Sequence, residues 1–197
     1  MPESFQIDLP KDATRTWELE VPVLVSKKEK RLIAYLTDSI GPPAIYNELC
    51  HHLGEAGEDW EVVLHINTGG GILDSAFMII EAIKTCKADV KARLSGTVAS
   101  AGTIIALACN ELDSASHLSF MIHNYSGGMQ GKGHEMKARQ KFSDEQLEAA
   151  FEDIYSGFLT DEERTRVIEG TDLWMGEDEV LDRWEDRQSW LAGNEDE

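Results

Sequence analysis

No apolar run in this chain approaches the roughly 20 residues needed to cross a bilayer as a helix. Basic residues are scarce: 18 Lys and Arg stand against 37 Asp and Glu, a formal charge of −19. Nucleic acid and anionic membrane both demand basic surface, so neither is an expected partner. Cysteine is scarce as well. Cys50, Cys86 and Cys109 are odd in number, widely spaced and without a CxxC pair. That excludes a disulfide framework and the common zinc motifs, and reads as buried thiols in a reducing compartment. The opening, MPESFQIDLPKD, has no basic region followed by an apolar core. A secretory signal is therefore not expected, and a cytoplasmic location is.

What is present is ordinary for a globular domain: 197 residues, 42% hydrophobic and 28% charged, enough to bury one core. The acid is concentrated late. From Asp144 to Glu197 there are 19 Asp and Glu against 4 Arg and no Lys, which reads as a solvated surface ending in a frayed GNEDE.

Strand and helix patterns alternate along the chain. RLIAYLT (31–37), WEVVLHIN (60–67), DVKARLSGTVA (89–99) and SHLSFMIHN (116–124) read as strands, being β-branched or alternating and bounded by turn residues. Between them, 41–57 opens on Pro42 and Pro43 and closes near Gly54, 72–86 is amphipathic, and a small, apolar helix follows Ser100. A polar helical region covers 134–158, with SDEQ (143–146) as a capping box that would interrupt it. TDEERTRVIEG (160–170) starts with a clearer box, Thr160 with Glu163. Strands separated by helices predict a mostly parallel sheet with helical cover.

Working residues in such sheets lie beyond the carboxyl ends of the strands. One such end is INTGGG, where glycines let backbone N–H groups approach a ligand and a helix dipole begins. No Lys–Ser/Thr pair follows, and Asp74 would repel phosphate, so this is no nucleotide loop and no cofactor is expected. Ser100, in GTVASAGTIIALA, sits where a strand runs into a helix. That position suits an N-cap and suits a nucleophile. His123 ends the fourth strand, as a core histidine or as a base. Asp172 is the best carboxylate to orient it, since Leu173, Trp174 and Met175 would draw it toward the core. His51 and His52 are discounted as metal ligands, because adjacent residues face apart on a helix.

Taken in order, these segments resemble the Clp protease proteolytic-subunit family, the caseinolytic serine peptidases. HINTGGG resembles the family's YINSPGG, with Gly69 in place of proline. GTVASAGTIIALA is similar to its nucleophile segment. FMIHNYSGGMQGKGHEM is similar to its histidine segment and the glycine-rich strand and handle helix that follow. GTDLWMGEDEV resembles its aspartate segment. The resemblance runs from about Arg31 to about Val180. Residues 1–30 are unlike the family's axial loop, and LDRWEDRQSW departs from its close.

The resemblance implies a crotonase-like α/β spiral of ββα units, with residues 1–30 as a divergent segment, 31–180 as the catalytic domain and 181–197 as an acidic tail. It implies Ser100 as nucleophile, His123 as general base and acid, Asp172 as orienting carboxylate, and an oxyanion hole from Ala101 and Gly71 or Gly70. It further implies stacked heptameric rings joined by a handle (strand 126–133, helix 134–158), peptide or unfolded-protein substrates, and an ATP-driven unfoldase as partner. The handle's Met136, Leu147, Ala150, Phe151, Ile154 and Phe158 form an apolar face that we assign to the ring interface. Two other classes are weighed: a catalytically silent ring component, and an acyl-coenzyme A enzyme of the crotonase type, which would leave the serine, histidine and aspartate unexplained.

Overall fold

A computed structural model describes residues 21–128 and 130–194. Its centre is a mixed sheet. β2 (Arg31–Leu36), β3 (Glu61–Thr68) and β4 (Val90–Ala99) run parallel as neighbours, and β1 (Val23–Ser26) adds antiparallel to β2. β4 divides its far edge. Its first half pairs with β5 (Glu111–Ser114), and its last three residues pair with β6 (Ser119–Ile122), both parallel. β7 (Leu173–Met175) closes the sheet antiparallel to β6. The expected mostly parallel sheet is therefore parallel at its centre and antiparallel at both edges.

Strand alternation fixes which side of each strand is dry. Leu32, Ala34 and Leu36 of β2 and Val62, Leu64 and Ile66 of β3 are all buried. Helices cover them with matching stripes. α1 (Asn47–Glu55) buries Leu49 and Leu53, and α2 (Leu73–Thr85) buries Ala76, Ile79, Ile80 and Ile83, the i, i+3, i+4, i+7 spacing of one helix face. α3 (Ala101–Leu107) is buried at every position. No helix among the described residues is long and apolar enough to cross a membrane.

Beyond the sheet, α4 (Gly133–Tyr155) runs unbroken through Ser143–Gln146, so the second capping box does not form. α5 (Asp161–Ile168) begins with both arms of the Thr160–Glu163 box in place. Residues 126–128 and 130–132 form no strand. A strand is a partnered state, and this glycine-rich stretch has no strand partner among the described residues. The expected apolar face of α4 also has another fate. Leu147, Ala150, Phe151 and Ile154 wall a cavity of their own subunit, while Phe158 joins the core against Phe120.

The expected tail is a helix instead, α6 (Glu177–Asn194), burying Val180, Trp184 and Arg187. Arg183 anchors it through bonds of 2.8 and 2.7 Å to Glu163 and 3.1 and 2.9 Å to Glu179. The segment set aside as 1–30 likewise supplies β1, while residues 1–20 lie outside the described chain.

Candidate active site

Three chain segments end together at one rim of the sheet. Ala99, the last residue of β4, pairs with Met121 of β6, and Met121 pairs with Trp174 of β7. Ser100 follows Ala99 directly. The β6–β7 register matches Ile122 with Leu173, so one further step sets His123 opposite Asp172.

Ser100 holds φ 55° and ψ −124°, a left-handed backbone that costs a non-glycine residue about 1–3 kcal/mol and persists only where its surroundings impose it. Three bonds impose it here. The Ser100 N–H donates to the Met121 carbonyl at 3.0 Å, while its own carbonyl accepts from the Thr103 N–H at 2.9 Å and the Thr103 hydroxyl at 2.7 Å. The side chain makes no cap bond, so the N-cap reading fails. The Ser100 hydroxyl has no hydrogen-bond partner among the described residues.

Beneath it lies the glycine turn. A Cβ on Gly70 (φ 98°) would lie 2.5 Å from the Ser100 Cβ, and one on Gly71 (φ 152°) would lie 2.2 Å from the Ile40 carbonyl oxygen. Both positions therefore exclude a side chain. Thr68, which the sequence did not single out, holds the turn. Its hydroxyl donates to the Asp38 carbonyl at 2.6 Å and accepts from the Gly70 N–H at 3.1 Å. That occupies the Gly70 donor. Among the described residues the Gly71 N–H has no partner, nor has that of Ala101, which as first residue of α3 lies beyond the helix's own ladder. Of the two glycine donors considered from the sequence, Gly71 is the one left available.

Ser100, His123, Gly70 and Gly71 all line one cavity of about 360 Å³, whose far wall is apolar: Leu73, Phe77, Ile104, Phe151 and Ile154. His123 is half-buried and makes no side-chain hydrogen bond among the described residues, so it is not a core histidine satisfied by a carbonyl. Asp172 is exposed and outside the cavity lining. The expected burial fails because β7 alternates: Met175 points inward, Trp174 is 59% exposed, and Asp172 falls on the rim before the strand begins. No hydrogen bond joins Ser100, His123 and Asp172. Glu169, the nearest alternative carboxylate in sequence, is also exposed.

A second residue missed from sequence, Asn124, ties the histidine segment to the aspartate segment. Its amide donates to the Ile168 carbonyl at 2.8 Å, and its carbonyl oxygen accepts from the Tyr125 N–H at 2.8 Å. Asn at a strand end was a legible turn signal, but its partner 44 residues away was not.

His51 and His52 converge more than their adjacency suggested. His51 Nε2 and His52 Nδ1 lie 3.6 and 3.5 Å from the same Glu55 oxygen, at i+4 and i+3. None of the three lines the cavity. Buried Cys109, its thiol pKa pushed up by desolvation, is likewise apart from it.

A strand that delivers a positive-φ serine into a buried helix is the nucleophile-elbow arrangement of serine hydrolases. Comparison with known sequences narrows the class. The family model described as Clp protease matches residues 28–182, and the chain belongs to that family. It is 36% identical over 73 residues to an ATP-dependent Clp protease proteolytic subunit of Streptococcus suis, covering 36% of this chain and 37% of that one. It is 35% identical over 83 residues to ATP-dependent Clp protease proteolytic subunit 2 of Pseudomonas aeruginosa, covering 41% of each. The chain thus spans about two fifths of the length of the curated relatives it matches.

Proposed function

We propose that the protein is a serine endopeptidase. Ser100 attacks the scissile carbonyl, His123 takes its proton and returns it to the leaving amine, and Asp172 orients the imidazole. The Gly71 and Ala101 N–H groups receive the developing oxyanion; losing one such donor typically costs roughly 100- to 1000-fold in rate. The observation that carries this reading is the strained backbone of Ser100, held over a glycine turn and facing the same cavity as His123. Strain of this kind clusters at functional sites, and at a residue without a cap bond it supports a role in presenting the hydroxyl. The apolar far wall suits a leucine- or phenylalanine-sized side chain beside the cleaved bond.

Peptides or unfolded proteins are the substrates in this reading, and catalysis takes place in the cytoplasm inside stacked seven-membered rings. α4, which buries only Tyr155 of its 23 residues, supplies the contact between rings. An ATP-driven unfoldase feeds the chamber, in keeping with the ATP-dependent names of the relatives. A fluorophosphonate tests the chemistry: it labels the wild type at Ser100 and spares Ser100→Ala.

One observation favours a second reading, a catalytically silent ring component: Asp172 is exposed and unbonded to His123. Catalytic hydrogen bonds often tighten only with substrate, so the peptidase reading stands ahead. A wild type that resists the label while still forming rings decides for the silent one.

A further inference from the structure

One buried contact joins the end of α4 to α3 and leads to the Ser100 peptide. Tyr155, the last residue of α4, places its hydroxyl 2.5 Å from the hydroxyl of Thr103, and both residues are fully enclosed. Thr103 already donates its single hydroxyl proton to the Ser100 carbonyl at 2.7 Å. The proton between Thr103 and Tyr155 must then be the tyrosine's, so the chain of donation runs in one direction, from Tyr155 to Thr103 to the Ser100 carbonyl. Burial pushes the Tyr155 hydroxyl well above its ordinary pKa, which keeps that donor protonated.

The direction matters because of what lies at its end. Hydrogen bonds in a chain polarise one another, and a threonine hydroxyl that accepts a proton becomes a better donor. Its acceptor is the carbonyl of the one peptide at the nucleophile that is held at positive φ. The source of the chain is on α4, 52 residues away from Thr103, where Phe151 packs tilted against the Tyr155 ring, centroids 4.4 Å apart, and lines the cavity.

We propose that Thr103 and Tyr155 are positioning residues, a directed hydroxyl relay through which the seating of the α4 C-terminal end sets the orientation of Ser100. The inference rests on the peptidase reading and deepens it: Thr103 lies outside the cavity lining, and although Tyr155 borders the cavity, neither hydroxyl bonds a reacting atom, so the pair acts through the Ser100 peptide. Displacing the last turn of α4 withdraws Tyr155, loosens Thr103, and releases the backbone that aims the nucleophile.

The test compares four variants by kcat, KM, the rate constant for fluorophosphonate labelling of Ser100, and thermal melting. Thr103→Val keeps the shape but strands the Tyr155 hydroxyl; we expect kcat and labelling rate to fall roughly 10- to 100-fold with KM within about twofold. Tyr155→Phe leaves Thr103 bonded to Ser100 and should cost less, roughly 5- to 10-fold. Thr103→Ser retains the hydroxyl and should restore most of the rate. The double variant Thr103→Val with Tyr155→Phe is decisive, because removing both partners leaves no orphaned buried polar group and recovers stability. A positioning role predicts that the double variant melts near the wild type yet labels as slowly as Thr103→Val. If its labelling rate returns with its stability, the pair is only core packing and the proposal fails. Should the wild type itself resist the label at Ser100, the hydrolase reading falls, and the relay falls with it. A labelled wild type with equally fast variants defeats the relay alone.

Discussion

Helix α3 is seven residues long and buries all of them, whereas α4 is 23 residues long and buries only Tyr155. The first is held by packing: Ala101, Gly102, Ile105 and Ala106 are small or apolar enough to sit between α2, α4 and the strands β3, β4 and β6. The second is held by its own ladder and by exposed pairs such as Lys132–Glu135 and Lys141–Glu145, each worth only about 0.3–0.5 kcal/mol. Under the ring assembly proposed above, the outer side of this helix, weakly supported within the chain, meets a second ring. The contrast separates two duties. The short helix is enclosed on all sides next to Ser100, and the long one leaves most of its length exposed, meeting the cavity only at its last turns.

Breaking the rigid side should have the largest effect. Asp172→Asn leaves a folded protein, because the residue is exposed, but should lower peptide turnover by about 10⁴-fold through the wrong imidazole tautomer. Steady-state kinetics on a fluorogenic peptide measures it. A loss under tenfold moves the orienting role elsewhere, with Glu169 the first to be changed.

The handle side should respond in size rather than in chemistry. Phe142 is 64% exposed and lies nine residues before Phe151, half a revolution away at about 100° per residue. Phe142 therefore faces outward while Phe151 faces the cavity. Phe142→Glu should shift sedimentation velocity toward single rings or smaller species. Salt near 0.15 M, where the Debye length is about 8 Å, should favour the larger particle in the wild type by screening the acidic helices. A mutant of unchanged size, at both low and moderate salt, assigns the contact to another surface.

A smaller effect is expected where α5 meets α6. The Arg183 guanidinium holds the Glu163 carboxyl down at about 2, helped by the Thr160 N–H. A depressed carboxyl stabilises the fold in full above its unfolded value, near 4.3, and loses that contribution as pH falls through the window down to about 2. Glu163→Gln should lower the melting temperature by a few degrees at pH 7, and the gap to wild type should narrow steadily below pH 4.5. A gap that persists at pH 2.5 would trace the loss to packing, not charge.

The parts legible in the sequence were those with local cause. The central strands carry their own alternation, the α5 cap its own box, and Ser100 its small neighbours. β5 and β7 escaped because four and three residues are too few to show a period. α6 escaped for a different reason. Val180, Trp184, Arg187 and Leu191 follow i, i+4, i+7, i+11, a regular helix stripe, but an arginine fills one apolar position and the flanking acid hides the rest. That arginine is buried with its guanidinium 5.8 Å from the Trp184 ring, so charge counting assigned to solvent what belongs inside. The burial expected of Asp172 was misjudged by composition, since three apolar neighbours say nothing of which way a three-residue edge strand turns. The Thr68–Asp38 and Thr103–Tyr155 bonds join residues 30 and 52 apart, beyond any local signal.

The backbone of Ser100 has a consequence for when in folding its posture is reached. Within residues 94–110, Thr103 bonds the carbonyl of Ser100 but nothing bonds the Ser100 N–H. The Met121 carbonyl must arrive from β6 and Gly70 must close in from the turn after β3. A chain emerging from the ribosome, or a clipped piece of one, has the serine without the posture. The posture of Ser100 is thus a product of completed folding, and under the peptidase reading proposed above so is the nucleophile.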